Sequence, residues 1–321
     1  MTATKVHRLL RYLPVLLRGR PLRGPARYGP FFIVGSGRCG STLLRAMLEA
    51  HPDVHIPPGI DLGTTVREFR RFSRLPWGPL LRILLSRIEY EGFWDVGDLA
   101  LAPLYAELAA LPPDARNLAT VVDALHRAHA KRHKPSAVRW GDKTPLSTPE
   151  LPALRAVFPD LRAVHLLRDG RDVVQSFMAV SQAGLPHFAG LWLRHVRAAQ
   201  AFGARYPGQY LEVRYEDLVQ ETRATITRVA TFLDLSFDAR MLRHHELGLQ
   251  LGDVERYPQL QGVRQPVYQT SVGRWRTAFD ARQIAELHRL LGPTLAALGY
   301  GVEPSQPGEP RTSPRAPVSP A

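Results

Sequence analysis

The run G-S-G-R-C-G-S-T, Gly35 to Thr42, combines close-set glycines, a cation and two hydroxyls. Glycines let a chain turn tightly and bring backbone N–H groups against phosphate oxygens, and a following helix N-terminus adds partial positive charge. Ser41 and Thr42 would supply donors and Arg38 a fixed cation. Gly35 and Gly40 match the spacing of a triphosphatase loop, but Ser41 stands where that loop needs Lys, and Arg168 stands where a metal-binding Asp would close the second strand. The loop therefore suits a phosphate-like group better than Mg-ATP; a plain Gly-rich turn is the structural alternative. A second run, L-L-R-D-G-R-D-V-V-Q-S-F, places Arg168 eight residues before Ser176. That is a little over two helical turns, so both can serve a second anion from one side. Asp169 and Asp172 read as caps and partners for Arg168 and Arg171. A surface ion-pair cluster would also explain this run alone; with the first it implies a ligand with two separated anionic ends.

GSGRCGSTLLRAMLEAHPDV and LLRDGRDVVQSF together resemble the 5′-phosphosulfate loop and 3′-phosphate motif of sulfotransferases that use 3′-phosphoadenosine 5′-phosphosulfate (PAPS). Among these the sequence is most similar to the tyrosylprotein sulfotransferase branch and its bacterial relatives. The resemblance continues through V-R-Y-E-D-L (213–218), His244-His245-Glu246 and Q-P-V-Y-Q-T-S-V-G-R-W (265–275), and spans about 31–276. It implies that Arg38, Cys39, Gly40, Ser41 and Thr42 hold the phosphosulfate, with Arg38 also stabilising charge on the leaving oxygen. It implies Arg168 and Ser176 for the 3′-phosphate, Tyr215 and Arg274 as nucleotide contacts, and closure of Gln265 to Ser271 over the nucleotide. The implied reaction moves a sulfuryl group to a hydroxyl or amine without a metal. Two features depart from the family pattern. Gly59 occupies the place of the usual general-base Glu, leaving Asp61 as the nearest substitute, with His55, Glu68 and Asp142 behind it; the Arg-Lys-Gly nucleotide clamp of the cytosolic enzymes is absent. W-G-D-K-T-P (140–145) resembles a bacterial segment and suggests Asp142 and Lys143 on the acceptor side. A kinase-like phosphotransferase and a catalytically impaired nucleotide-binding homologue remain the alternatives.

Strands and helices must alternate to place these groups. FFIVG (31–35), AVRWG (137–141), LRAVHLL (161–167) and QYLEVRY (209–215) read as strands. Helical spacing recurs at 41–50, 62–74, 79–89, 98–110, 117–131, 151–158, from Gly170, 217–233 and 280–298. The expected fold is an α/β, P-loop-like parallel sheet flanked by helices on both faces, with a helical insertion between the first two strand motifs, and ligands at the strands' carboxyl ends. His126, His129 and His133 read as a solvated basic face, and Trp77, Trp94 and Trp192 as core.

The 321 residues carry a formal charge of +13, of which +7 precedes Phe31, none is net beyond Gly301, and +6 lies between. Most of the excess is thus outside the expected fold, which argues against a nucleic-acid partner and for a small-molecule, glycan or peptide acceptor. One cysteine excludes a disulfide framework, and no apolar run is long enough to span a bilayer. Residues 1–30 read as a basic arm, with His7 to Arg20 a short helix that caps the domain surface or, as the alternative, rests on anionic lipid; 31–301 as the α/β domain; and 302–321, with six prolines, as a disordered tail. No secretory leader is read, so the expected location is cytoplasmic, possible membrane contact being peripheral.

Overall fold

The computed structural model describes residues 15, 17–26, 28–90 and 99–301. Most of the expected basic helix at 7–20, the Pro-rich tail and Trp94 lie outside the described residues.

Five parallel strands form one sheet in the order β2-β3-β1-β4-β5: β1 Phe31–Gly35, β2 Val54–His55, β3 Arg139–Lys143, β4 Arg162–Leu167 and β5 Tyr210–Arg214. Side chains alternate across a strand, and β1 shows the result. Phe31 and Ile33 face one core with α1 (Ser41–Glu49), while Phe32 and Val34 face the other. That second core holds the helical insertion: α2 (Leu62–Phe72), α3 (Trp77–Glu89), α4 (Leu101–Ala109) and α5 (Leu118–His133). The short α6 (Leu151–Val157) packs there too. Parallel strands covered on both faces need near-continuous apolar sequence, which FFIVG and RAVHLL provide.

Beyond β4, α7 (Gly170–Met178) and α8 (Leu185–Arg205) share a third core with α13 (Ala281–Ala297). Three sequence expectations need correction. The 21-residue α8 was not anticipated, although Pro186 opens it and Leu185, Phe188, Ala189, Trp192 and Val196 follow helical spacing. The expected helix at 217–233 is two, α9 (Tyr215–Gln220) and α10 (Thr222–Phe232), because Glu221 takes φ −119° and ψ 49°. Of the α5 histidines only His133 is on a solvated face. His126 and His129 are buried, His126 stacking on Trp140 at 3.9 Å and His129 Nδ1 lying 2.8 Å from His55 Nε2. Two further short helices, α11 (Asp253–Arg256) and α12 (Trp275–Ala278), bracket the segment that covers the strand ends.

Candidate active site

The turn from β1 into α1 has the conformation its glycines foretell. Gly37 and Gly40 have φ of 76° and 92°, and Arg38 itself sits at φ 52°. A Cβ on Gly40 would lie 2.3 Å from Tyr215 Cδ2, so this position needs glycine for space as well as for backbone freedom. The turn is fixed from behind by Thr148, whose Oγ1 accepts the Gly35 N–H at 2.8 Å and donates to the Gly35 carbonyl at 2.7 Å. Cys39 is fully buried in the core under the loop, and burial pushes its thiol up from the ordinary value. Its side chain thus packs the loop rather than facing a ligand.

Arg38 Nε donates to Ser176 Oγ at 2.9 Å, joining the two sequence motifs directly. Arg168 donates to the carbonyls of Arg38 (2.9 Å) and Ser271 (2.6 Å), and its guanidinium lies 4.7 Å from the Tyr215 ring centre. Burial and the neighbouring Arg168 hold the Arg38 guanidinium below its ordinary pKa. Around these groups is a cavity of about 220 Å³. Arg38, Gly40, Ser41, Thr42, Arg168, Ser176, Tyr215, Ser271 and Arg274 all line it, and no Asp or Glu does among the described residues. Adjacent guanidiniums at a helix N-terminus with no facing acid make an anion site.

Supporting contacts hold this arrangement, and of them the sequence revealed only the Asp169 cap and its pair with Arg171. Trp192 of α8 donates Nε1–H to the Arg168 carbonyl at 3.0 Å. Asp169 caps α7 by accepting from the Arg171 N–H and pairs with the Arg171 guanidinium at 2.7 Å. Asp172 accepts from the N–H groups of Gly273 (2.7 Å) and Trp275 (3.0 Å), tying the covering segment to α7; burial raises its pKa despite these donors. The cover is longer than Gln265–Ser271: Gln259, Leu260, Gly262 and Val263 also line the cavity.

Three expected residues, Asp61, Asp142 and Lys143, are not among those lining it. Asp61 caps α2, its carboxylate accepting from Thr64 N–H (2.9 Å) and Thr64 Oγ1–H (2.5 Å), with Arg87 at 3.7 Å. Asp142 points into the insertion core, 3.7 Å from His126, because β3 runs to Lys143 and alternation sends neighbours to opposite faces. Lys143 instead pairs with buried Asp253 at 2.7 Å, and Asp253 also pairs with Arg45 of α1 at 2.5 Å. Burial lowers the Lys143 pKa; burial would raise that of Asp253, but the two cations pull it below the carboxylate range. Gly59 abuts the end of β3, where a Cβ would lie 2.5 Å from the Lys143 carbonyl and 2.6 Å from Thr144 Oγ1. Among the described residues no three His, Cys, Asp or Glu side chains are grouped to hold a metal ion, and no helix is long and apolar enough to cross a membrane.

A family profile described as Sulfotransferase family matches residues 30–239. Protein-tyrosine sulfotransferase 1 of Danio rerio is 27% identical over 328 residues, covering 95% of this chain and 83% of its own length. Protein-tyrosine sulfotransferase A of Caenorhabditis elegans is 27% identical over 296 residues, covering 88% and 70%. The sulfotransferase domain of the Synechococcus PCC 7002 olefin synthase superposes with a TM-score of 0.58 at 24% identity, covering 84% of this chain and 97% of that domain. The likeness in structure is one of fold. The profile match runs from the residue before β1 past α10 and takes in both anion motifs, and the chain belongs to the sulfotransferase family.

Proposed function

We propose that this sulfotransferase takes its sulfuryl group from PAPS and delivers it to a phenolic hydroxyl. The observation that carries the reading is the acid-free cavity in which Arg38, Arg168, Ser176, Ser271, Arg274 and the α1 N-terminus converge. The residues fit a nucleotide with two separated anionic ends. Arg38, Gly40, Ser41 and Thr42 would hold the 5′-phosphosulfate, Cys39 contributing through its backbone, while Arg168 and Ser176 would hold the 3′-phosphate. Tyr215, Ser271 and Arg274 would complete the nucleotide wall.

In the transfer the acceptor oxygen forms a bond to sulfur as the bond from sulfur to the bridging phosphate oxygen breaks. Arg38 and the α1 N-terminus stabilise the negative charge left on that phosphate, and positioning supplies most of the remaining rate. The acceptor proton has no carboxylate to receive it at position 59. A phenol ionises near pH 10, far more readily than an alkyl alcohol, so among hydroxyl acceptors it makes the smaller demand on a base. The relatives named protein-tyrosine sulfotransferase agree with a phenolic acceptor. We place that acceptor beside the end of β3, at Lys143 and Thr144, rather than at Asp142.

Calorimetric titration with 3′-phosphoadenosine 5′-phosphate, compared with ATP, tests the reading. Tighter binding of the former is expected, and Arg168→Ala should weaken it about 10- to 100-fold, as loss of a charge-assisted contact does. Tighter binding of ATP would replace this reading with the kinase-like one.

A further inference from the structure

A second set of cations lies apart from the nucleotide cavity and shares no residue with it. Arg18, Arg20, Arg70, Arg71 and Arg74 line an open concavity of about 510 Å³, and no Asp or Glu lines it among the described residues. The arrangement is built by close packing of residues 17–20 on the end of α2. Gly19 has φ 74°, and a Cβ there would lie 2.3 Å from Ser73 Oγ. The Arg20 N–H donates to the Ser73 carbonyl at 3.2 Å, and Arg74 donates to the Leu17 carbonyl at 3.3 Å. Arg20 also donates to the Leu75 carbonyl and stacks over Trp77 at 5.4 Å, which fixes its guanidinium at the base of the concavity.

Arg70 and Arg71 suit the carboxyl end of α2, where the helix dipole favours cations. That does not account for Arg18 and Arg20 converging on the same space from another segment, beside Arg74 just past the helix end. Arg18, Arg70, Arg71 and Arg74 form no ion pair among the described residues. These four guanidiniums line one concavity with no Asp or Glu among its described lining residues, and like charges so placed repel unless multivalent anions lie over them.

The adjoining sequence selects the source of those anions. Leu17 is 66% exposed beside the concavity. Residues 1–14, which join the chain here, contain Lys5, Arg8 and Arg11 together with Leu9, Leu10, Tyr12 and Leu13, and no acid. Cations interleaved with apolar side chains suit a surface having phosphates above and hydrocarbon beneath; a free phosphate offers nothing to the leucines. We infer that this flank docks on an anionic phospholipid surface, Arg18, Arg70, Arg71 and Arg74 seating headgroup phosphates around the packed Arg20.

Co-sedimentation of the full chain with phosphatidylcholine vesicles, with and without about 30 mol% phosphatidylserine, tests the inference. Binding should require phosphatidylserine and weaken as salt rises above about 0.1 M. The variant Arg70→Glu/Arg71→Glu/Arg74→Glu should lose about tenfold or more of its partition. A control with equal charge change, Arg197→Glu/Arg282→Glu/Arg289→Glu, should keep most of it. Unchanged nucleotide affinity by calorimetry would show that both variants are folded. Wild-type partition by the first variant, equal loss in both, or equal binding to phosphatidylcholine alone would overturn the inference. So would saturable binding of inorganic pyrophosphate, lost in the first variant, without vesicle binding: that result would assign the concavity to a free anion.

Discussion

With φ at 52°, Arg38 holds a left-handed conformation that costs an L-residue about 1–2 kcal/mol, and burial, then the nearby Arg168, lowers the pKa of its guanidinium. Strain and like-charge repulsion at one residue are tolerated where a ligand relieves them. Arg38, Arg168 and Ser176 were legible in the sequence because each follows a strand at a spacing that a helix converts into a shared side. The base was not, because nearness along the chain ignores what a carboxylate is already bonded to. Asp61 is engaged by Thr64 and Arg87. Asp61→Asn should therefore keep kcat within about threefold, since Asn caps a helix about as well as Asp. A fall of about a hundredfold, measured as sulfate transfer to a phenol, would return Asp61 to the chemistry. Nor does Gly59→Glu offer a simple repair, because its Cβ would meet the Lys143 carbonyl at 2.5 Å.

Among the elements, β1, α1, β4 and α7 were legible from short apolar runs closed by Gly or Arg-Asp-Gly. Asp142 was misplaced by a two-residue shift of β3, from an expected 137–141 to Arg139–Lys143. That shift turns D-K from a loop pair into strand neighbours facing opposite ways. The break at Glu221 has no Gly or Pro to announce it, and the Asp217 carbonyl takes both the Glu221 N–H (2.8 Å) and the Thr225 hydroxyl (3.2 Å). Contacts from α7 to the covering segment depend on tertiary structure and left no local signal. Asp172 carries them, so Asp172→Ala should raise the KM for PAPS about tenfold or more while kcat changes little, a pattern of lost uniform binding. Steady-state kinetics with PAPS varied would show it; a fall in kcat at unchanged KM would place Asp172 in the chemistry instead.

Across the whole molecule cations gather at a basic flank and at an anion cavity, while buried His129 works against the fold in acid. His129 packs against His55, stacks on His133 at 4.2 Å, and lies near enough to His126 and Arg45 to feel both; Glu49 holds His55 at 3.1 Å. Burial first, then the neighbouring imidazoles and Arg45, lower the His129 pKa to about 2 from 6.5. The unfolded chain therefore binds a proton that the fold refuses between those values. His129 lowers stability as pH falls below about 6.5, with a limiting slope of about 1.4 kcal/mol per pH unit. Urea midpoints measured from pH 7 to 5 should fall, and His129→Gln should flatten the slope; an unchanged slope would remove His129 as its cause. The cover over the strand ends has a further kinetic consequence. Asp253 ties one end to α1 and β3, and Asp172 ties the other to α7. A strap anchored twice cannot swing like a hinged door. With nucleotide held as proposed, exchange would proceed by bowing of the span between the anchors, so the stiffness of residues 257–272 would set how quickly spent nucleotide leaves and the next turnover begins.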